Sequence, residues 1–376
     1  MKKHSARLII ANSEQCADLY WATRFYVPDP IPYFEFQGKS FLIASDLEYG
    51  RAKKEADVDT VYSYSECEKQ LKKAGVEKPN SIDVLNDLFR KRKIRVLEVP
   101  SYFPIGFAEP LRKKGYRIIP VRDPFFPERE IKSQQEKKSI IETLRATEAG
   151  IQAAIDVLKK SKIKNGKIYR DGKILTSEAL RSVIEMTMLE RGAIGQQTIV
   201  ASGRQGADPH CRGSGPLMAH TPIVLDVFPK SIRTGYYGDI TRTVLKGKAS
   251  ESLKKMYFVV RQSQEAGIKK VRAGIDAAQV HGEVCKVLNA SGFETGVLNG
   301  KPQGFIHSTG HGLGLDIHER PRVSRLSEIL KVGNVITVEP GLYYEKLGGI
   351  RIEDVVFVTK AGCEVLTKIP KVFEIN

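Results

Sequence analysis

The sequence GFIHSTGHGLGLDIHE runs from Gly304 to Glu319 and gathers three of the chain's seven histidines, His307, His311 and His318, among Gly304, Gly310, Gly312 and Gly314. Glycine lets main-chain segments approach closely and take positive φ. Imidazoles in such a run therefore suit a place where backbone and side chains converge on an ion or a substrate. On both sides of this stretch lie carboxylates set in apolar, strand-like runs. Downstream are Glu339, in Thr337-Val338-Glu339-Pro340-Gly341, and Glu353, in Arg351-Ile352-Glu353-Asp354. Upstream are Asp226, in Val224-Leu225-Asp226-Val227, and Asp239, in Gly238-Asp239-Ile240-Thr241-Arg242-Thr243. Two aspartates, one histidine and two glutamates make a ligand set for two adjacent divalent cations. Taken singly, each carboxylate reads as a cap, a turn or a surface charge. Four converging without cations would repel one another and be costly to desolvate, so convergence requires metal. Oxygen-rich ligation with one imidazole suits Mn²⁺, Co²⁺, Fe²⁺ or Zn²⁺.

Asp226 and Asp239 stand 13 positions apart, with Pro229, Lys230 and Gly235 between them. That interval suits two strands of a hairpin joined by a longer loop, both carboxylates on one side. A slip of one residue in register would turn one of them away.

Composition narrows the class. A chain of 376 residues exceeds what one core usually accommodates, so two domains are expected. Apolar residues at 41% and charged residues at 28% are those of an ordinary soluble globular protein, which argues against disorder. The net charge of +16 raises the question of an anionic partner. The basic residues are scattered in short groups such as Arg90-Lys91-Arg92-Lys93 and Lys269-Lys270, with no zinc-finger spacing or aromatic RNA-binding pattern, so the reading is a solvated basic surface and no nucleic-acid partner. The five cysteines, Cys16, Cys67, Cys211, Cys285 and Cys363, are odd in number and widely spaced. They support neither a disulfide framework nor a thiolate zinc site, and a reducing, cytoplasmic setting fits. No apolar run approaches the roughly 20 residues needed to span a bilayer, and Ala6 to Ala11 is too short and mixed for a signal-peptide core.

Along the first third of the chain, Arg7–Ala11, Tyr33–Gln37, Phe41–Ala44, Val58–Tyr62, Arg95–Val99 and Tyr116–Val121 read as strands, and Asp46–Glu55, Ser81–Arg90 and Ile105–Lys114 as helices. The alternation predicts an α/β domain with a mixed sheet over residues 1–130. Asp123-Pro124-Phe125-Phe126-Pro127 marks its end, since two prolines interrupt regular structure. From Ser133 to Lys160, Ile140, Ile141, Leu144, Ile151, Ala154, Ile155 and Leu158 recur at helical spacing, with Thr147 filling the one missing turn. Further helices are expected over Thr176–Arg191, Glu251–Arg272 and Ile275–Asn289. The ligand candidates fall in strands, so residues 131–376 read as a curved, mostly antiparallel sheet flanked by helices.

Five blocks of this second region resemble the metallopeptidases of the pita-bread fold, which include Xaa-Pro aminopeptidases, prolidases and methionine aminopeptidases. They are Leu225-Asp226, GDITRT at Gly238–Thr243, GHGLGLDIHE at Gly310–Glu319, VEPGLY at Val338–Tyr343 and RIEDVV at Arg351–Val356. The resemblance covers residues 130 to 376. It implies that Asp226 binds one metal, that Asp239 and Glu353 bridge two, and that His311 and Glu339 complete the second. It also implies substrate-side roles for His210 and His318, a supporting role for His307, and an orienting role for Arg351. In most relatives the two aspartates lie 11 positions apart, and residues 228–234 are where the longer interval here is expected to be absorbed.

The implied activity is a dinuclear-metal exopeptidase, manganese favoured, cleaving the bond before proline at peptide N termini through a hydroxide shared by two ions about 3.5–4 Å apart. Glu339 would relay the proton, and His210 and His318 would stabilise the oxyanion. An Xaa-Pro dipeptidase is the alternative. A non-catalytic peptide-binding module and a creatinase-type hydrolase fit less well, because all five ligands are present. The α/β region ahead of residue 130 disfavours a methionine aminopeptidase, resembling instead the N-terminal domain of the creatinase and prolidase branches. The same resemblance implies peptide substrates and a homodimer.

Overall fold

In the strand Ser5–Ala11 the apolar residues alternate in direction, and both directions are buried. Leu8 and Ile10 join a core with Phe34, Phe36, Phe41 and Ile43, while Ile9 joins another with Tyr33 and Leu42. A sheet buried on two faces requires covering layers on each, and the helices supply them. The computed structural model describes residues 4–298 and 300–376. It divides into two units, Met1–Arg129 and Glu130–Asn376.

The first unit is built on a six-stranded mixed sheet in the order Thr60–Ser63, Lys39–Ala44, Ile31–Phe36, Ser5–Ala11, Val96–Pro100, Arg117–Val121. The two pairings from Ser5–Ala11 to Lys39–Ala44 are antiparallel and the outer ones parallel. Helices Asp46–Glu55, Ser81–Lys91 and Ile105–Lys113 stand where the sequence places them. Two more, Ala17–Thr23 and Tyr64–Lys73, escaped the sequence reading. Cys16 caps the first without a side-chain hydrogen bond. The second begins directly after a strand, with Ser63 accepting from the Glu66 N–H.

The second unit opens with the helix Gln134–Lys160. Ser133 and Glu136 form a reciprocal capping box at its start. Thr147 is fully buried in the apolar stripe, its hydroxyl donating to the Thr143 carbonyl at 2.9 Å. The segment entering Asp239 packs directly on this helix: a Cβ on Gly238 would stand 2.6 Å from Thr147 Oγ1, so no other residue fits there. A four-stranded sheet orders Ile199–Ser202, Ile223–Val227, Ile240–Lys246 and Glu374–Ile375. A five-stranded antiparallel sheet orders Glu319–Val323, Gly310–Gly312, Val335–Val338, Asp354–Val358 and Cys363–Val365. Gly341–Tyr344 and Gly348–Arg351 form a separate hairpin. Helices Glu251–Lys270 and Ala277–Ala290 pack over these sheets, with Val280 meeting Ile336 and Val338, and Val260 and Val284 meeting Leu342 and Ile350. The result is the mixed α/β class with antiparallel sheets flanked by helices.

The ladder between Ile223–Val227 and Ile240–Lys246 pairs Asp226 with Thr241 and Val227 with Ile240. Asp239 lies two residues before Thr241, hence on the same face as Asp226. The long interval leaves this register undisturbed. Its length is taken up by a turn in which Ser231 N–H donates to Tyr236 O and Gly235 N–H to Ser231 O, and by Lys230–Ser231 pairing with Ala193–Ile194.

Arg242, adjacent to Thr241, points to the opposite face and is 1% exposed. Its Nη2 donates to Asp354 Oδ1 at 2.7 Å and to Ile369 O at 2.8 Å, and its Nη1 donates to the Glu353 carbonyl. Removing one partner of a buried pair costs about 3–5 kcal/mol, and because Lys371 also contacts Asp354 at 2.8 Å the loss here falls at the low end. Arg242→Met is expected to lower stability by about 3 kcal/mol, read from the urea-unfolding midpoint.

Candidate metal centre

Five strand ends and turns bring the acidic residues and imidazoles into one cleft of about 1610 Å³. Asp226 and His311 lie within strands. Asp239 immediately precedes Ile240–Lys246, Glu339 immediately follows Val335–Val338, and Glu353 sits between Gly348–Arg351 and Asp354–Val358. The expectation that every carboxylate is embedded in a strand is thereby corrected for three of them. At a strand end the backbone is free of the ladder on one side, so the side chain turns into the cleft instead of standing in a packed face.

Ligand atoms of Asp239, His311 and Glu353 all lie within 4.8 Å of one another. His311 Nε2 is 3.6 Å from Asp239 Oδ2 and 3.3 Å from Glu339 Oε1. Asp226 joins through Thr241, whose hydroxyl lies 3.1 Å from Asp226 Oδ1 and 2.9 Å from Glu353 Oε2. Arg351 binds the outer side of Asp226, Nη2 to Oδ2 at 2.5 Å, and its Nε donates to Thr241 Oγ1 at 3.2 Å. Its Nη1 donates to the Tyr343 hydroxyl at 2.7 Å, and that hydroxyl is 2.9 Å from His307 Nε2. His307 Nδ1 faces the Ser308 carbonyl at 2.7 Å, so Nδ1 carries the proton and Nε2 accepts from Tyr343. The chain Asp226–Arg351–Tyr343–His307 thus fixes one wall of the cleft.

The electrostatics of the group fit a cation. Burial, then the neighbouring Glu353, hold the Asp239 carboxyl well above the ordinary carboxylate range, and the same two causes raise Glu339. Burial, then Asp226, push Glu353 up to about 7. Burial, then His318, push His311 down to about 3, so its imidazole is neutral. His311 Nδ1 is engaged with the Gly312 carbonyl at 3.1 Å, which leaves the Nε2 lone pair directed at carboxylate oxygens. A lone pair facing carboxylates is repulsive unless a proton or a cation lies between them, and carboxylate oxygens plus one imidazole are donors for hard or borderline divalent ions.

The remaining sequence candidates fall on the same cleft. His210, His307 and His318 line it, and the rings of His311 and His318 meet edge-on at 4.4 Å. His220 lies instead in an exposed turn, at φ 61°, with Nδ1 accepting from the Lys248 N–H. Residues to which the sequence assigns no catalytic or ligand role also belong here. Thr241 and Tyr343 connect the acidic cluster to its supports. His281 lines the cleft with Nδ1 2.8 Å from Thr309 Oγ1. Thr241 stood two positions from Asp239 in a strand, the spacing that puts it on the same face, and that was the available signal.

Comparison with known proteins places this geometry. A family model described as metallopeptidase family M24 matches residues 138–360. The chain is similar to the Xaa-Pro dipeptidase of Pyrococcus horikoshii, 31% identical over 330 residues that cover 87% of this chain and 83% of that protein. It is 29% identical to the Xaa-Pro dipeptidase of Pyrococcus furiosus over 374 residues, 98% of each. Among solved structures, the X-Pro aminopeptidase from Thermotoga maritima matches with a TM-score of 0.81 at 26% identity, covering 99% of this chain and 97% of that one. The prolidase from P. horikoshii matches with a TM-score of 0.77 at 28% identity, covering 98% and 94%.

The raised carboxyls give the metal-free protein a characteristic pH dependence. A group such as Glu353, moved from 4.5 to about 7 on folding, contributes stability below pH 4.5 that is lost as pH rises through 7. His311 acts in the opposite sense, its contribution being present above pH 6.5 and lost as pH falls toward about 3, so most of its change lies below pH 6. Bound cations remove the carboxylate penalty. The rise in thermal midpoint on adding Mn²⁺ is therefore expected to be larger at pH 8 than at pH 6, by several degrees at about 2–4 °C per kcal/mol, as read by scanning fluorimetry.

Proposed function

The chain belongs to metallopeptidase family M24, and within it we propose that this protein hydrolyses the bond before proline at the N termini of peptides, as an Xaa-Pro aminopeptidase. The observation that carries the reading is the meeting of Asp239, His311, Glu339 and Glu353 with Asp226 in a cleft that also presents His210 and His318. The family is dinuclear and metal-dependent. Asp226 would hold one cation, Asp239 and Glu353 would serve both, and His311 and Glu339 would hold the other, with Mn²⁺ favoured by the family resemblance among the ions these donors suit. Two bound cations supply charge that polarises a carbonyl and lowers the pKa of water toward about 7.

The protein's own groups do the rest. Glu339, whose Oε1 lies 3.3 Å from His311 Nε2 in the cleft, accepts a proton and passes it on. His318 and His210 donate hydrogen bonds to the oxygen on which negative charge develops and return a proton to the departing proline nitrogen. Arg351 holds Asp226 in orientation, and Tyr343 links it to His307. Proline has no N–H and a fixed φ, so a bond to it is poorly held by sites that grip an extended backbone. Phe228, Phe305, Ile306 and Ile317 line the cleft and offer apolar contact to such a ring. The unit Met1–Arg129 we read as a creatinase- and prolidase-like α/β domain. A homodimer and a cytoplasmic location complete the proposal; five free cysteines are in keeping with the latter.

A second reading, Xaa-Pro dipeptidase, is favoured by the relative of that name from P. furiosus, which aligns over 98% of both chains. Rates on Xaa-Pro dipeptides, Xaa-Pro tripeptides and Xaa-Ala controls separate the two. Hydrolysis of Xaa-Pro and not Xaa-Ala is expected, with tripeptides preferred for an aminopeptidase and dipeptides for a dipeptidase. Metal-loaded protein inactive on every Xaa-Pro substrate defeats both. Glu339→Gln is expected to lower kcat on the order of 100- to 10,000-fold. Metal analysis should return two ions per chain, whereas a binding module would hold none.

A further inference from the structure

The turn that carries His318 is closed from beneath by a buried ion pair. Glu319, the residue after His318, has a side chain only 7% exposed, and its Oε2 lies 2.6 Å from the ammonium of Lys132, whose side chain is 2% exposed. The other carboxylate oxygen, Oε1, accepts the main-chain N–H groups of Leu315 at 2.9 Å and Asp316 at 3.1 Å. A Cβ on Gly314 would stand 2.5 Å from Glu319 Oε2, so the carboxylate lies flush against the turn. The Gly314 carbonyl accepts from the Tyr237 N–H at 2.8 Å, two residues before Asp239. Lys132 is anchored independently, its N–H donating to Gly333 O at 2.8 Å, while Asn334 Nδ2 donates to the Glu130 carbonyl at 2.9 Å. His318 itself is exposed toward the cleft, so its orientation derives from the turn below it.

We propose that Glu319, held by Lys132, is a positioning residue that shapes the turn 314–318 and thereby sets His318 against His311. The inference deepens the Xaa-Pro peptidase reading and rests on it. A buried ion pair adds little net stability, because desolvation offsets the attraction, and its effect is to fix geometry. Here the division of labour is explicit. The carboxylate is the acceptor that two turn amides require, and the ammonium is the counter-charge that lets a carboxylate be buried there at all.

That division yields a distinctive mutational pattern. Glu319→Gln retains an amide oxygen for Leu315 and Asp316 but removes the negative charge 2.6 Å from the buried Lys132 ammonium. Glu319→Ala removes the acceptor altogether. Misplacing a catalytic group by about 1 Å can reduce rate on the order of 100-fold, so Glu319→Ala is expected to lower kcat by that factor with KM little changed, and Glu319→Gln by about tenfold. The double variant Lys132→Met/Glu319→Gln is expected to recover to within about threefold of the parent protein, since paired changes in one interaction are non-additive. Lys132→Met/Glu319→Ala should not recover.

Amide hydrogen exchange of residues 314–318, measured with and without Mn²⁺, supplies a readout separate from activity. Faster exchange at Leu315 and Asp316 is expected in both alanine variants and near-normal protection in Lys132→Met/Glu319→Gln. Unchanged kcat in Glu319→Ala, unchanged exchange, or equal recovery of both double variants would overturn the proposal. If Glu319→Ala does not fold, the Gln single and double variants still decide it. If the parent protein fails to cleave any Xaa-Pro bond, the functional reading falls, while exchange still decides whether Glu319 shapes the turn.

Discussion

Mutual repulsion among buried carboxylates is the constraint from which the second unit is best understood. Burial and the neighbouring carboxylates hold Asp239, Glu339 and Glu353 above the ordinary carboxylate range, and the fold must keep them together against that repulsion. It does so with strand alternation. Thr241 and Glu353 face the cluster, while the adjacent Arg242 and Asp354 face the other way and pair at 2.7 Å. Lys371 at 2.8 Å, Gln264 at 2.8 Å and Thr367 at 2.7 Å also engage Asp354. Glu353, which suffers repulsion in the cleft, thus has in Asp354 a neighbour locked into attraction behind it. The supports hold the strands, and the strands hold the charges.

The same logic explains the strand ends. A carboxylate within a fully paired strand is fixed by the pleat, whereas one just beyond the ladder can swing into a shared volume. Asp239, Glu339 and Glu353 all sit in that second position. His311 is the exception among the inner group, and it lies on a strand of three residues whose pairing with Glu319–Val323 is irregular. Regular structure carries the cluster to the point of convergence and then stops.

Much of this was legible in the sequence, and the limits have physical causes. The apolar stripe of Gln134–Lys160, including Thr147, follows directly from helical spacing because one face of a long helix must be buried. Asp226 and Asp239 could be placed on one hairpin from their interval, and the pairing of Asp226 with Thr241 puts both on one face. Tyr343 looks like an ordinary strand residue, since aromatic side chains are what strands contain, and only its partner Arg351 reveals its part in the site, whereas Thr241 is marked by its spacing from Asp239 alone. On its helix His281 carries no local mark of the meeting with Thr309, 28 positions on. In the first unit, the helix Ala17–Thr23 lacked both a side-chain cap and enough length for its period to be read.

The order in which the ligands occur along the chain has a consequence for biosynthesis. The ladder that places Asp226 and Asp239 can close as soon as Lys246 has left the ribosome, but Glu353 and its backing residue Asp354 emerge only after the whole histidine-rich segment. A nascent chain therefore carries a half-built acidic pocket, kept tolerable by protonation or by water, until translation passes that point. The full set of donor side chains is in consequence available to a cation only once residue 353 has been synthesised.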